Sequence, residues 1–151
     1  MTTATPRQID TVEDLIEFIN LTGVHTYEVS GRRAEPNGDA DTAPEPIALE
    51  IREQHDDSRI VARFRATMKA GGCHLVADIG AKYEFSEQLS LSQPAIERFL
   101  ERVAVMAAWP FIRETLASTA ARMEIPVPLL GLIKQGDLHI GPSVEADDVA
   151  S

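Results

Sequence analysis

Four histidines and two pairs of adjacent acidic residues are the side chains of this sequence best suited to catalysis or metal binding. The histidines are His25, His55, His74 and His139. None lies one helical turn from another, as the ligands of a helix-borne metal site do. The carboxylate pairs, Glu13-Asp14 and Asp56-Asp57, fall at a predicted helix start and in a predicted turn, where acidic residues are common for structural reasons. We therefore expect no catalytic residue, no metal site and no cofactor.

Nucleophile motifs and nucleotide-binding loops are also missing from the sequence. The sequence does not exclude a serine or cysteine nucleophile whose catalytic partners are distant in the chain, but no local signature supports one. Gly71-Gly72 is typical of a hairpin turn and does not form a phosphate-binding loop. An enzyme or small-molecule binder is accordingly the least favoured class of function.

An arginine row on one predicted strand is the remaining candidate for binding chemistry. Arg59, Arg63 and Arg65 could hold an anion together. Such rows more often form a solvent-exposed sheet face that pairs with acidic residues on the next strand, for which Glu50 and Glu53 are the candidates. We interpret the row as a sheet face.

The composition indicates one globular domain and limits its partners. The chain has 151 residues, of which 44% are hydrophobic, enough for a single core. A net charge of -10 argues against nucleic acid or an anionic membrane as partner. The single cysteine, Cys73, excludes an intrachain disulfide. Because neither a signal peptide nor a membrane-spanning segment is recognisable, we expect a cytoplasmic protein without membrane insertion.

Alternating apolar residues predict an antiparallel meander of four strands. The predicted strands cover residues 24–30, 47–52, 59–68 and 73–79, the last of which can continue to residue 85. Residues 31–46 hold three prolines and few apolar side chains, so they are predicted to form a long loop.

Helical periodicity appears before and after these strands. Residues 11–22 predict a helix whose apolar face is Leu15, Ile16 and Ile19. A second helix follows Ser92, and a third is predicted from Pro110 to about Glu124. The fold class is α+β, with helices on one side of the sheet. Its predicted domain covers residues 11–133, between a flexible N-terminus (1–10) and a flexible acidic tail (134–151).

The segment from Trp109 to Leu130 resembles the signature of the export chaperone SecB. That signature is a helix reading aromatic-Pro-Tyr-Ala-Arg-Glu, followed by Arg-Gly-x-Phe-Pro-x-Leu. Here Trp109-Pro110-Phe111-Ile112-Arg113-Glu114 aligns without gaps with its first part, and Arg122, Ile125, Pro126 and Leu130 align with its second. Met123 stands where the family has Gly. The resemblance covers residues 24–133 when the predicted strand order is included.

The resemblance implies a chaperone that assembles as a dimer of dimers and holds non-native polypeptide in apolar grooves without nucleotide. The long helix would pack between dimers through Trp109, Phe111, Arg113 and Leu116. Candidate groove residues are the apolar sheet side chains Tyr27, Val29, Phe64, Met68, Tyr83 and Phe85. Burial in the core of a single chain is the alternative for both sets.

Two departures from the family pattern bear on the client. The family's C-terminal helix is missing after residue 133, and the helix at 11–22 is an addition that we expect to cover the same surface. This layout resembles the SecB-like chaperones that serve toxin–antitoxin systems in actinobacteria. It implies an ATP-independent holdase for either secretory precursors, delivered to SecA through acidic patches on the sheet, or one cognate antitoxin. The alternative is an interaction module that keeps the fold without general client binding.

Overall fold

A computed structural model describes residues 5–33 and 46–126 of the chain. Its elements are β1 (Arg7–Ile9), α1 (Val12–Ile16), β2 (Ile19–Arg33), β3 (Ala48–His55), β4 (Arg59–Ala70), β5 (Cys73–Phe85), β6 (Leu89–Leu91), α2 (Gln93–Phe99), a π-helical turn (Leu100–Ala104) and α3 (Val105–Arg122). Four strands form one sheet in the order β2-β5-β4-β3, and every pair is antiparallel. The predicted α+β fold with a four-stranded antiparallel sheet is confirmed.

The central strands β4 and β5 follow the predicted alternation closely. Every second residue of β4, such as Ile60 and Phe64, is fully buried, whereas the residues between them are exposed or half-buried. The strands are joined by Gly71 and Gly72, whose φ angles are 56° and 74°. A two-residue hairpin loop of this type needs positive φ at both positions, which glycine adopts without steric cost.

The edge strand β2 begins earlier than the sequence predicts, and the first helix is correspondingly shorter. Helix α1 ends at Ile16, and β2 starts at Ile19 and runs for 15 residues. Ile19 and Leu21 fit a strand alternation as well as a helical face, and pairing with β5 over the whole length of β2 outweighs the weak stability of a short helix. The predicted helix over residues 11–22 is therefore wrong beyond Ile16.

The predicted loops and termini shift in the same way. Gly31–Arg33 continue β2, so this part of the predicted 31–46 loop is wrong. Within the predicted flexible N-terminus, Arg7–Ile9 form β1, which pairs in parallel with β6. Residues 34–45, 127–133 and the predicted acidic tail lie outside the described residues.

Helix α2 starts where the sequence predicts, but α3 does not. The Ser92 hydroxyl accepts the N–H of Ala95 at 3.3 Å, which caps α2. The backbone then stays helical through the π-helical turn into α3, and Pro110 lies inside α3. Proline removes one helical hydrogen bond, to the carbonyl of Met106. Because Met106 and Pro110 are both exposed, water can satisfy that carbonyl.

A Schellman motif ends α3 in place of the glycine turn of the SecB signature. The Ile125 N–H donates to the Ala120 carbonyl, and the Glu124 N–H donates to the Ala121 carbonyl, the hydrogen-bond pair that defines this motif. Glu124 takes the left-handed conformation, with φ of 57°. Ile125 is buried, close to Gly71, so the motif fastens the end of α3 to the β4–β5 hairpin.

The core lies between the inner face of the sheet and the helices. Helix α3 lies mainly against β5 and reaches β2 near Gly31. The ring of Phe99 in α2 meets that of Tyr83 in β5 edge to face, with centroids 5.0 Å apart. Helix α1 packs on α2 through the fully buried Leu15, while Ile16 stays half exposed.

Candidate client-binding and assembly surfaces

Six large apolar side chains are exposed in the described parts of the chain. They are Ile16, Leu21, Tyr27, Val29, Met106 and Phe111. Three lie on the edge strand β2 and two on α3. Exposed apolar groups that cluster on particular elements are typical of surfaces that contact another polypeptide.

Leu21 and Val29 mark the two ends of a mainly apolar strip along the inner side of β2, which also contains the half-buried Val24 and the exposed Thr26. The two end residues lie opposite Tyr83 and Ala77, whose side chains face the core, so Leu21 and Val29 project on the side of the sheet that carries the helices. Because β2 is at the sheet edge and α3 lies mainly over β5, the two side chains remain 48% and 52% exposed. An extended polypeptide can bury its own apolar side chains against this strip.

The outward side of α3 is apolar as well as the side that faces the core. Its apolar exposed and half-buried positions are Met106, Ala107, Pro110, Phe111, Ala117 and Ala121, and its polar ones are Arg113, Glu114, Ser118 and Arg122. A helix that is apolar all round is usually covered on both sides. This outward surface therefore suits contact with another protein surface.

The six predicted groove residues do not come together in the structure. Phe64, Met68 and Tyr83 are buried in the core, because they occupy the inward positions of β4 and β5. Phe85 is half-buried. Tyr27 and Val29 are exposed but lie on opposite faces of β2.

The sequence reasoning missed Leu21, since it assigned that residue to a helix. The available signal for a strand was that Leu21 lies two residues after Ile19 in a segment rich in β-branched residues.

The four predicted interface residues divide into two groups. Trp109 and Leu116 are buried within the single chain, at 7% and 0% exposure, and so have little surface to offer a second copy. Phe111 is 49% exposed, and Arg113 is half-buried. The division follows from the helix geometry, because residues 109, 112 and 116 repeat on the face toward the sheet.

A buried carboxylate organises the outer face of the sheet. The Asp78 side chain is 1% exposed and accepts two hydrogen bonds from Arg63, at 2.8 and 2.9 Å, and one from Arg65 at 3.2 Å. Arg65 also pairs with Glu28, and the Arg63 guanidinium lies 4.2 Å from the ring centre of Tyr27. Burial by itself raises the pKa of Asp78, but the hydrogen bonds and charges of the two arginines outweigh it and hold that pKa below its usual value.

The partners predicted for the arginine row are therefore wrong. Glu50 pairs with Arg52 at 2.8 Å, and Glu53 contacts His55 at 2.8 Å. Although Glu50 lies opposite Arg65 in the register, Arg65 extends the other way, toward β5 and β2. Two acids on that side, Asp78 and Glu28, outweigh the single exposed Glu50.

Catalytic or metal-binding geometry is not apparent within residues 5–33 and 46–126. No group of three or more acidic, histidine or cysteine side chains in these ranges could hold a metal ion. A depression of about 470 Å³ is lined by Asp56, Ser58, Arg59, Glu84 and Phe85. The Asp56 carboxylate is already engaged in the adjacent turn, where it accepts hydrogen bonds from the backbone N–H groups of Ser58 and Arg59. None of the described helices is both long and apolar enough to cross a membrane.

Comparisons with known proteins identify the architecture. No protein-family model matches the chain. The SecB-like chaperone SmegB of Mycolicibacterium smegmatis is 27% identical over 143 residues, which cover 93% of this chain and 94% of that protein. Among solved structures, the Mycobacterium tuberculosis SecB-like chaperone Rv1957, in complex with a ChAD peptide from the antitoxin HigA1, matches with a TM-score of 0.69 and 12% identity, over 81% of this chain and 92% of that one.

The antiparallel sheet with helices on one face and apolar side chains left at its edge is thus the fold of the SecB-like chaperone Rv1957. The resemblance to SecB-like chaperones that the signature at Trp109 to Leu130 predicted is confirmed in both sequence and fold.

Proposed function

We propose that this protein is an ATP-independent holdase whose client is an antitoxin segment, and that it acts in the cytoplasm without catalysis. The solved neighbour carries an antitoxin peptide, which supports the choice of client over a secretory precursor. The outer face of the sheet carries more basic than acidic side chains, which speaks against the acidic SecA-docking patch of export members. An interaction module that lacks client binding is the alternative.

The apolar strip of Leu21 and Val29 is the observation that carries the proposal. Burying a side chain of this size fully contributes about 1.5–3 kcal/mol, so two half-exposed side chains can anchor a client segment without any nucleotide-driven step. Contacts with apolar side chains also tolerate sequence differences, as a holdase requires.

The double variant Leu21→Ser/Val29→Ser is expected to abolish most client protection while the chain stays folded. The measurement is aggregation of two clients, the antitoxin HigA1 whose ChAD peptide the solved neighbour binds and a chemically unfolded secretory precursor, at near-stoichiometric ratio without nucleotide. Tyr27→Ser is the matched control, because Tyr27 is equally exposed at 48% but lies on the opposite face of β2. Circular dichroism checks folding of both variants.

The outcomes distinguish a dedicated antitoxin chaperone, a general holdase and an interaction module. Protection of the antitoxin alone supports a dedicated chaperone, and protection of both clients indicates a general holdase. Failure of the unmodified protein with both clients leaves the interaction module. Equal loss in Tyr27→Ser would move the client site away from the strip.

We also propose that the protein is a homotetramer held through the outward side of α3. Phe111→Asp is expected to reduce the assembly from about four times the 16.5 kDa chain mass to half that or less, because symmetry repeats each buried charge in every copy. Light scattering coupled to size exclusion measures the mass. Glu114→Gln, on the same side of α3, serves as the control. A monomeric unmodified protein, or an unchanged mass for Phe111→Asp, would contradict this arrangement.

A further inference from the structure

The outer face of the sheet is positively charged, in contrast to the chain as a whole. Along the described strands, seven basic side chains occupy outer positions: Arg32, Arg52, Arg59, Arg63, Arg65, Lys69 and Lys82. Four acidic side chains share this face: Glu28, Glu50, Asp78 and Glu84. The face therefore has an excess of three positive charges on a chain whose net charge is -10.

The excess is concentrated at the end of the face near the β4–β5 hairpin. Arg32 of β2 lies opposite His74 of β5, and His74 lies opposite Lys69 of β4. These three residues, the basic row, are neighbours across three strands that are about 4.8 Å apart. Arg32 and Lys69 are exposed, and His74 is half-buried.

The basic row differs from the other cations of the face in having no acidic partner within the described residues. Arg63 and Arg65 are satisfied by Asp78 and Glu28. The other outer cations each have an acid nearby: Arg52 has Glu50, Arg59 has Asp56 and Lys82 has Glu84. Salt bridges that involve Arg32 or Lys69 are not found among residues 5–33 and 46–126.

The neighbouring positions add hydrogen-bonding groups without adding charge. Ser30 of β2 and Thr67 of β4 lie two residues from Arg32 and Lys69, on the same face and on either side of Val76. Their hydroxyls can donate to carboxylate or carbonyl oxygens. The end of the face thus offers cations, an imidazole and hydroxyls within about 10 Å, which is two strand spacings.

We propose that the basic row docks an acidic, extended segment of a partner polypeptide. Carboxylates about 10 Å apart on such a segment can meet Arg32 and Lys69 together, and charge complementarity accelerates the encounter. A nucleic acid is a poorer fit, because three side chains neutralise few phosphates and the rest of the chain is strongly negative. The row lies on the face opposite the Leu21–Val29 strip, so the partner segment and a client can be bound at once.

The test uses a fluorescein-labelled peptide of alternating glutamate and serine, with fluorescence anisotropy as the readout on the full chain. Arg32→Gln/Lys69→Gln is expected to weaken peptide binding about tenfold, in line with two exposed charge contacts. The matched control is Arg52→Gln/Lys82→Gln, which removes two charges from the same face whose acidic partners are already present, and a change below about twofold is expected. Binding of the unmodified protein should weaken steeply as salt rises, because exposed charges are screened.

Four results would overturn the proposal. The first two are no binding of the peptide and equal weakening in the two double variants. The third is preferential binding of a single-stranded oligonucleotide of the same charge. The fourth concerns acidic residues of this chain, since residues 34–45 include Glu35, Asp39, Asp41 and Glu45. If the peptide binds only after these four are neutralised, the row serves this chain and not a partner.

Discussion

Phe99→Ala is expected to lower the free energy of unfolding by about 3–5 kcal/mol, the cost typical of removing a buried phenylalanine. Phe99 is 0% exposed, and its ring meets that of Tyr83 edge to face. It belongs to α2 and Tyr83 to β5, so the contact joins the helical layer to the sheet. A loss of this size is a large fraction of the 5–15 kcal/mol by which small domains are stable.

Urea unfolding followed by circular dichroism measures this change. Phe99→Leu is the control, because it keeps most of the buried volume and is expected to cost well under half as much. If Phe99→Ala lost less than about 1 kcal/mol, the contact between α2 and β5 would not be part of the stable core.

Asp78→Asn is expected to cost about 2–3 kcal/mol at neutral pH. Removing one partner of a buried ion pair typically costs 3–5 kcal/mol. The lower figure applies here because the side chains of Arg63 and Arg65 are 38% and 35% exposed, so water solvates them once Asp78 is neutral. Glu84→Gln is the matched control, since it breaks an exposed pair with Lys82 and should change stability little.

The pH dependence of this variant has a definite sign. Because the pKa of folded Asp78 is lowered, its stabilising effect is present above the unfolded carboxyl pKa, about 3.9. That effect is lost as the pH falls through the folded value below it. The difference in unfolding free energy between the unmodified protein and Asp78→Asn should stay constant from about pH 7 to pH 5 and shrink below about pH 4. A constant difference down to pH 2 would mean that Asp78 acts through its shape alone.

The parts of the fold that the sequence predicted are those in which local pattern and final packing agree. In β4 the alternation of Ile60, Phe64 and Met68 with arginines fits only a strand buried on one face. Ser92 and Pro94 likewise mark a helix start through local hydrogen bonding and a fixed φ. The signature from Trp109 onward predicted the resemblance to SecB-like chaperones, because its aromatic, proline and charged positions are specific when taken together.

The parts of the fold that the sequence did not predict depend on contacts between residues that are distant in the sequence. Ile19 fits a helix or a strand equally well, and only pairing with Phe85 selects the strand. Pro110 reads as a helix start until the preceding turns are seen to continue from α2. The six predicted groove residues are dispersed in the structure for a similar reason, since alternation assigns Phe64 and Val29 to apolar positions without showing that one is buried in the core and the other stays exposed at the sheet edge.

The parallel pairing of β1 with β6 affects the order in which the strands can pair during translation. Arg7 donates its backbone N–H to the Gln88 carbonyl, and Ser92 donates to that of Ile9, contacts that span 81 and 83 residues of sequence. On a ribosome, β1 is made before β6 and must wait until residue 91 has left the exit tunnel before it can pair. The meander of β2 to β5 has neighbouring partners and can form meanwhile. Strand β1 is thus paired later than the meander that follows it, and until then its residues stay accessible to proteases.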